Sequence, residues 1–136
     1  MDSISKEQIM DPKDLLLVAF GGAIGACLRY LVILWSPNGE FPLATLIVNL
    51  IGSFSLGMIF ALSSNQLIDD KITLLIATGI LGSFTTMSTY SVETITLWEK
   101  DKLISILYVL ITAIIGPLLA ILGMEIINSE MIIKKI

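Results

Sequence analysis

The stretch Gly79-Ile-Leu-Gly82-Ser-Phe-Thr85-Thr86-Met87-Ser-Thr-Tyr90-Ser-Val-Glu93 combines two glycines with a dense run of hydroxyl side chains. It lies within an apolar segment of roughly 27 residues, so residues 82–86 fall close to the segment's midpoint. Glycine and hydroxyl side chains disrupt or bend helices. Non-helical backbone in a bilayer is tolerated only against protein or a cavity. The pattern predicts a membrane-spanning helix broken near mid-membrane; the alternative is a continuous helix whose hydroxyls bond back to the preceding turn.

The composition of the whole chain indicates a membrane protein. Of 136 residues, 55% are hydrophobic and only 15% are charged, whereas soluble domains carry about 25% charged residues. A pI near 4.6 argues against nucleic-acid binding. One cysteine and no histidine exclude a disulfide framework and the common Cys/His metal sites.

Four apolar runs are long enough to cross a hydrocarbon core of about 30 Å. They cover roughly residues 15–35, 41–62, 72–98 and 103–127. The links between them are short, so neighbouring spans should form antiparallel hairpins. The fold class expected is therefore an all-α integral membrane protein, with residues 1–136 forming a single four-helix transmembrane domain.

The lysines give only a weak orientation signal. An even number of spans places both termini on one side, which holds Lys6, Lys13, Lys71, Lys134 and Lys135. The other side holds Lys100 and Lys102. The positive-inside rule therefore favours inside termini only slightly. A protein that inserts both ways and pairs head to tail is the alternative.

Polar groups inside the spans are costly and need a reason. Arg29 is either a snorkelling side chain or a fixed positive charge in an aqueous vestibule. Asn49 and Thr45 share one face of the second span, where they serve either as interhelical hydrogen-bond partners or as donors along an anion path. Tyr108 and Thr112 share a face of the fourth span, above small residues suited to helix packing.

The sequence also leaves open the roles of three residues that follow the expected break, Met87, Tyr90 and Glu93. Met87 and Tyr90 are i,i+3 neighbours and suit either packing or a pore wall. Glu93 is a candidate proton carrier, pore-lining group or interfacial acid.

In order and at these spacings, three motifs resemble the Fluc (CrcB-type) fluoride channels. The first is Gly21-Gly22-Ala-Ile-Gly25-Ala-Cys-Leu-Arg29-Tyr30, and the second is Ala44-Thr45-Leu-Ile-Val-Asn49-Leu-Ile-Gly52-Ser-Phe-Ser-Leu-Gly57. The third is the stretch from Gly79 to Glu93. The resemblance covers essentially residues 14–127.

The resemblance implies an antiparallel, dual-topology homodimer with two fluoride pores. It also implies a structural sodium ion on the two-fold axis, bound by the backbone carbonyls of Gly82 and Thr85 of each subunit. Arg29 matches a vestibule arginine. The resemblance also implies a set of pore residues, which match the polar side chains that line the family's fluoride path and the two aromatic positions beside it (the aromatic box). They are Asn49, Thr45, Thr86, Met87, Ser88, Tyr90, Glu93, Tyr108 and Thr112.

Met87 is the main departure from the family pattern, which usually places phenylalanine at the positions of Met87 and Tyr90. Ring edges carry partial positive charge and can face an anion, whereas a methionine has no ring edge. This chain could therefore be one half of a heterodimeric channel that conducts weakly or not at all.

The expected function is passive export of fluoride across a bacterial plasma membrane, which protects cells from fluoride. No nucleophile with its base and no nucleotide loop is visible, so we do not expect an enzyme. A proton-coupled exporter resembling small multidrug-resistance proteins is the alternative from another class. Those proteins carry a glutamate in the first span, where this chain has Arg29, and Glu93 in the third span is the available substitute.

Overall fold

The computed structural model describes residues 11–37 and 39–133, and the regular structure within them is all helical. Four segments are long and apolar enough to cross a membrane. They are Pro12–Trp35 (α1), Leu43–Ser64 (α2), Asp70–Lys100 and Lys102–Ile133. The third segment consists of residues 70–84 (α3) and Met87–Lys100 (α4), and the fourth is α5. The prediction of an all-helical protein with four spans is confirmed.

The helices differ from the predicted spans at their ends. Helix α2 begins at Leu43, two residues after the predicted start at residue 41, whereas polar caps extend the starts of α1 and α3 beyond the apolar stretches. The Asp11 carboxylate accepts a hydrogen bond of 2.9 Å from the Lys13 amide, so α1 begins at Pro12. Asp69 caps α3 in the same way, and α5 continues past residue 127 to Ile133. The apolar segment shows which residues can lie in lipid, whereas the capping residues determine where the helix begins and ends. Lys6, Lys134 and Lys135, which entered the orientation argument, lie outside the described residues.

The third segment is broken at its centre, as predicted. Its first half contains an α-helical turn, Asp70–Thr73, then a π-helical stretch, Leu74–Leu81, then a last turn, Gly82–Phe84. Thr85 and Thr86 are extended, with ψ of 158° and 118°, and α4 begins at Met87. The π-helical stretch, in which amides bond five residues back, is a feature that the sequence pattern did not indicate.

Glycines bring α1 into backbone contact with α3. A Cβ placed on Gly79 would lie 3.0 Å from the Gly21 Cα atom and 3.2 Å from the Val18 carbonyl oxygen. Only a residue without a side chain allows two helices to approach so closely. The α1 glycines therefore hold the first half of the broken segment.

The interface between α2 and α5 is also built from small residues. A Cβ on Gly57 would collide with the backbone of Ala120, whereas a Cβ on Gly116 would lie at an ordinary 3.5 Å from the Ser53 Oγ atom. The small residues of the fourth span thus pack against α2, as the sequence analysis expected, and Gly57 of α2 contributes to the same interface. This contact leaves the polar ends of both stripes to face α4.

Ion pairs at opposite ends of the bundle agree with the hairpin arrangement. Lys71 at the start of α3 pairs with Asp11 and Asp14 at the start of α1. At the other end, Lys100 lies 3.5 Å from Glu40 in the link between α1 and α2. The starts of α1 and α3 therefore lie on one side of the membrane.

We predict that Gly57→Ala destabilises the fold by about 2 kcal/mol or more, because the added methyl group overlaps backbone that cannot rotate away. Thermal unfolding in detergent measures the effect. Gly116→Ala on the same interface is the matched control; it has room and raises helix propensity, so its melting temperature should be unchanged or higher. Equal loss in both variants would contradict the packing argument.

Candidate functional site

The break in the third span is braced by one side chain, that of Asn49 in α2. The Thr86 amide donates to Asn49 Oδ1 at 2.9 Å, and Asn49 Nδ2 donates to the Thr86 carbonyl oxygen at 3.1 Å. The amide side chain thus pairs with the Thr86 backbone much as a neighbouring strand would. Because no water satisfies backbone groups in lipid, this pair lets the chain stay extended there.

The brace leaves two carbonyl groups without their usual helical partners. In an unbroken helix the Thr86 amide would bond to the Gly82 carbonyl and the Thr89 amide to the Thr85 carbonyl. Here the Thr86 amide donates to Asn49, and the Thr89 amide donates to the Thr86 hydroxyl at 3.2 Å. The carbonyl groups of Gly82 and Thr85 therefore lack the amides that would bond to them in a helix. These are the two carbonyl groups that the family resemblance assigns to a cation.

A crevice of about 300 Å³ opens beside the break. Polar groups of α2, α3 and α5 line it together with Met87 at the start of α4. Six of the predicted site residues meet in its walls, namely Asn49, Gly82, Thr85, Thr86, Met87 and Thr112. The Thr112 hydroxyl donates to the Tyr108 carbonyl at 2.9 Å, so its hydrogen is already engaged within its own helix.

A second group of predicted residues gathers around the carboxylate of Glu93, towards the end of the bundle that carries Glu40. Thr45 donates to Glu93 Oε1 at 2.8 Å, and Tyr108 donates to Oε2 at 3.0 Å. Thr45 and Tyr108 are almost fully buried, whereas Glu93 is partly exposed. The acid is thus held by two neutral donors. It also lines a cavity of about 210 Å³ together with Glu40.

The two residues at the aromatic-box positions are placed differently. The ring of Tyr90 is buried against Tyr108, with 5.1 Å between ring centroids, and Phe41 packs edge-on against Tyr108 at 5.6 Å. Met87 is 73% exposed and faces the crevice. Ser88 is exposed, and its hydroxyl lies 3.4 Å from that of Thr86.

Arg29 is half-buried in α1, one turn beyond Gly25, which packs against α3. Within residues 11–37 and 39–133 its guanidinium forms no salt bridge. Its guanidinium is the basic group of α1 beyond the glycines that contact α3.

Sequence reasoning missed the contribution of Glu40 and Phe41. Both lie in the link between α1 and α2, where Glu40 lines the smaller cavity and Phe41 covers the buried ring of Tyr108. The available signal for Phe41 was its position directly before Pro42 at the start of a helix. Its partner, Tyr108, is far along the chain, so the contact itself could not be predicted.

Taken together, the fold and the crevice define a multi-pass membrane protein with neutral donors around a mid-membrane break. The family model described as "CrcB-like protein, Camphor Resistance (CrcB)" matches residues 16–124. The chain belongs to this family, as the resemblance of its motifs implied.

Curated relatives cover most of the chain. It is 42% identical over 116 residues to "Fluoride-specific ion channel FluC" of Oceanobacillus iheyensis, which spans 83% of this chain and 90% of the relative. It is 40% identical over 110 residues to "Fluoride-specific ion channel FluC 1" of Methanosarcina acetivorans, spanning 79% and 84%. A FluC of a Shewanella species is 40% identical over 121 residues, spanning 86% and 98%. These relatives are channels rather than enzymes, which agrees with the prediction that this chain is not an enzyme.

We predict that Asn49→Ala speeds hydrogen exchange of the Thr86 amide by about tenfold or more, because one lost bond of about 1.4 kcal/mol produces that factor. Amide-resolved hydrogen–deuterium exchange measures it. Asn65→Ala, which removes another α2 amide far from the break, is the control and should leave Thr86 unchanged. Unaltered exchange at Thr86 in Asn49→Ala would show that Asn49 does not brace the break.

Proposed function

We propose that this chain forms a fluoride-selective channel that lets fluoride leave the cytoplasm passively. The observation that carries the proposal is the crevice at the helix break, in which Asn49 and hydroxyl groups converge in a chain 42% identical to a fluoride-specific channel. A passive path needs no energy source, and none of its residues has to react.

Neutral donors suit fluoride, which is small and strongly hydrated. Removing its water is very costly unless other donors replace the shell. Asn49 uses one hydrogen of its Nδ2 group to hold the Thr86 carbonyl, and its second hydrogen remains to meet an anion. The Thr86 hydroxyl donates to the Thr89 hydroxyl at 3.0 Å, so it lines the path with its oxygen, whereas the exposed Ser88 hydroxyl beside it is a further donor. Binding by a few neutral donors is also weak enough to release the ion.

The path continues from Asn49 to the cluster around Glu93. Thr45 lies one helical turn from Asn49 on α2, and Thr45 and Tyr108 both donate to Glu93. Tyr90 and Thr112 flank this route, and Met87 forms its wall at the crevice. Arg29, which forms no salt bridge within the described part of the chain, attracts anions to the vestibule.

The working unit that we propose is an antiparallel, dual-topology homodimer. The near balance of lysines across the spans permits insertion in both directions. Hydroxyl-bearing residues such as Ser88 and Ser91 are exposed on α4, where lipid would be a poor neighbour and a second subunit a better one. A plasma membrane of a bacterial cell is the expected location.

A sodium ion at the subunit interface is the proposed structural cofactor. The carbonyls of Gly82 and Thr85 fit a cation, since both line the crevice and both have lost the amides that would bond to them in a helix. Oxygen atoms of this kind are suitable ligands for a hard cation. The bound charge would hold two broken segments together across the two-fold axis.

Met87 supports a second version of the same function. It stands 73% exposed at a position where the family resemblance leads one to expect an aromatic ring. A partner chain with phenylalanine there would complete a pore that this chain alone forms less well. In that version the chain is a weakly conducting or non-conducting subunit of a heterodimer.

Reconstitution of the purified chain in liposomes tests the function, with fluoride efflux followed by a fluoride electrode. We expect efflux down the fluoride gradient without a proton gradient. Asn49→Asp should slow it at least tenfold, because about 1.4 kcal/mol of added repulsion gives that factor. Asn65→Asp, at the far end of α2, should leave efflux unchanged.

Three results would contradict this proposal in different ways. If a correctly folded dimer shows no fluoride efflux, the proposal of a homomeric channel is wrong. Efflux that appears when a paralogous chain is added would support the heterodimer. Efflux that requires an imposed proton gradient would instead indicate an exporter. Equal efflux in Asn49→Asp and the unaltered chain would remove Asn49 from the path.

Replacing sodium with N-methyl-D-glucamine tests the cofactor. Extended dialysis should reduce both efflux and the fraction of dimer seen by light scattering, because the carbonyls of Gly82 and Thr85 then repel one another across the interface. Readdition of sodium should restore both. Unchanged efflux and dimer fraction without sodium would exclude a structural role for the ion.

A further inference from the structure

A groove on the outside of α1, far from the crevice, combines charged and apolar walls. Its volume is about 570 Å³, and it lies at the end of the bundle where α1 and α3 begin. Six residues line it, namely Asp11, Lys13, Leu16, Leu17, Phe20 and Lys71. None of them takes part in the proposed fluoride path.

The charged residues of the groove gather at its rim. Lys71 bonds to Asp14 and lies 3.4 Å from an oxygen of Asp11. The Asp11 pKa is lowered, first by the hydrogen bond from the Lys13 amide and then by Lys71, so the carboxylate stays ionised at neutral pH. Lys13, the other lysine that lines the groove, is exposed. Asp14 does not line the groove itself, but it joins the charged rim through its ion pair with Lys71.

Below the rim the groove is apolar and open. Leu16 is 68% exposed and Phe20 is 64% exposed, and both project from α1 within the first three turns of the span. At about 1.5 Å per residue, Phe20 lies roughly 12 Å along the axis from Pro12, a depth reached by acyl chains rather than by water. An occupant therefore needs a charged head at the rim and a hydrocarbon chain beneath it.

We propose that this groove binds a phospholipid with a zwitterionic phosphoethanolamine headgroup. The lysine ammonium groups meet its phosphate, the carboxylates of Asp11 and Asp14 meet its primary ammonium, and Leu16 and Phe20 contact an acyl chain. The rim carries groups of both signs, with Lys71 paired to Asp11 and Asp14, and this favours a zwitterionic headgroup over one that is only anionic. A choline headgroup carries the same charges but has no N–H to donate to the carboxylates.

Quenching by brominated lipids tests the proposal. A single tryptophan at the groove, Leu16→Trp, is introduced after Trp35→Phe and Trp98→Phe have removed the native tryptophans. The protein is reconstituted in phosphatidylcholine with added lipid that carries bromine on its acyl chains. The lipids compared are brominated phosphatidylethanolamine, phosphatidylcholine and phosphatidylglycerol. We expect phosphatidylethanolamine to bind about two- to fivefold more tightly than phosphatidylcholine, the range for ion pairs near a surface.

Charge changes at the rim should then alter the selectivity in a stated direction. Asp14→Asn leaves a net positive rim, so the preference should move to phosphatidylglycerol. Lys13→Gln, which breaks no ion pair among the described residues, should weaken phosphatidylethanolamine binding by up to about fivefold. Glu99→Gln, an exposed acid near the opposite end of the bundle, is the matched control and should change nothing.

Other occupants give other outcomes. Equal quenching by the three lipids would show an ordinary lipid-facing surface and overturn the proposal. Absence of quenching by any lipid would show that protein covers the groove, whether a second copy or the chain's own first ten residues, and would also overturn it. A preference of the unaltered rim for phosphatidylglycerol would contradict the choice of headgroup.

Discussion

The pairing of the Asn49 side chain with the Thr86 peptide group is the interaction on which the site depends. A bilayer offers no water to an interrupted helix, so each exposed amide and carbonyl must find a partner within the protein. Asn49 satisfies one of each with a single side chain, at 2.9 and 3.1 Å. The Gly82 carbonyl loses its helical partner through this exchange. The Thr86 hydroxyl, held in place beside it, accepts the Thr89 amide, which caps α4 and diverts the partner of the Thr85 carbonyl. A side chain first considered as either packing or pore lining therefore has a structural role, and its remaining N–H can still meet an anion.

Much of the fold could be predicted because its determinants are local in the sequence. Apolar runs of bilayer length gave the four spans, and glycines with hydroxyl side chains gave the break at residues 82–86. The π-helical stretch before it was not predicted, since nothing in the apolar sequence of Leu74–Leu81 marks π geometry; in the structure this stretch packs against the α1 glycines. Helix ends were also set too short, because the capping acids Asp11 and Asp69 lie outside the apolar runs.

The sequence and the family motifs named the residues of the candidate site but did not indicate how they are arranged. Family motifs pointed to Thr45, Glu93 and Tyr108, yet the shared hydrogen bonds of the carboxylate join positions 48 and 15 residues apart in sequence. No periodicity within one helix reveals such a pair. The groove on α1 was hidden for the same reason, because Lys71 reaches Asp11 and Asp14 only once α1 and α3 are packed together.

The low hydrophobicity of the third span has a consequence for biogenesis. It is the least apolar of the four candidate spans, since its second half carries Thr, Ser and Glu residues in place of leucines. A translocon that sorts segments by their apolarity would hold this one less firmly than its neighbours. The hydrogen-bond partners of its polar groups are Asn49 and Thr45, which precede it in the chain, and Tyr108, which follows it. The hydrogen-bond partners of the third span are therefore complete only when α5 has joined the bundle.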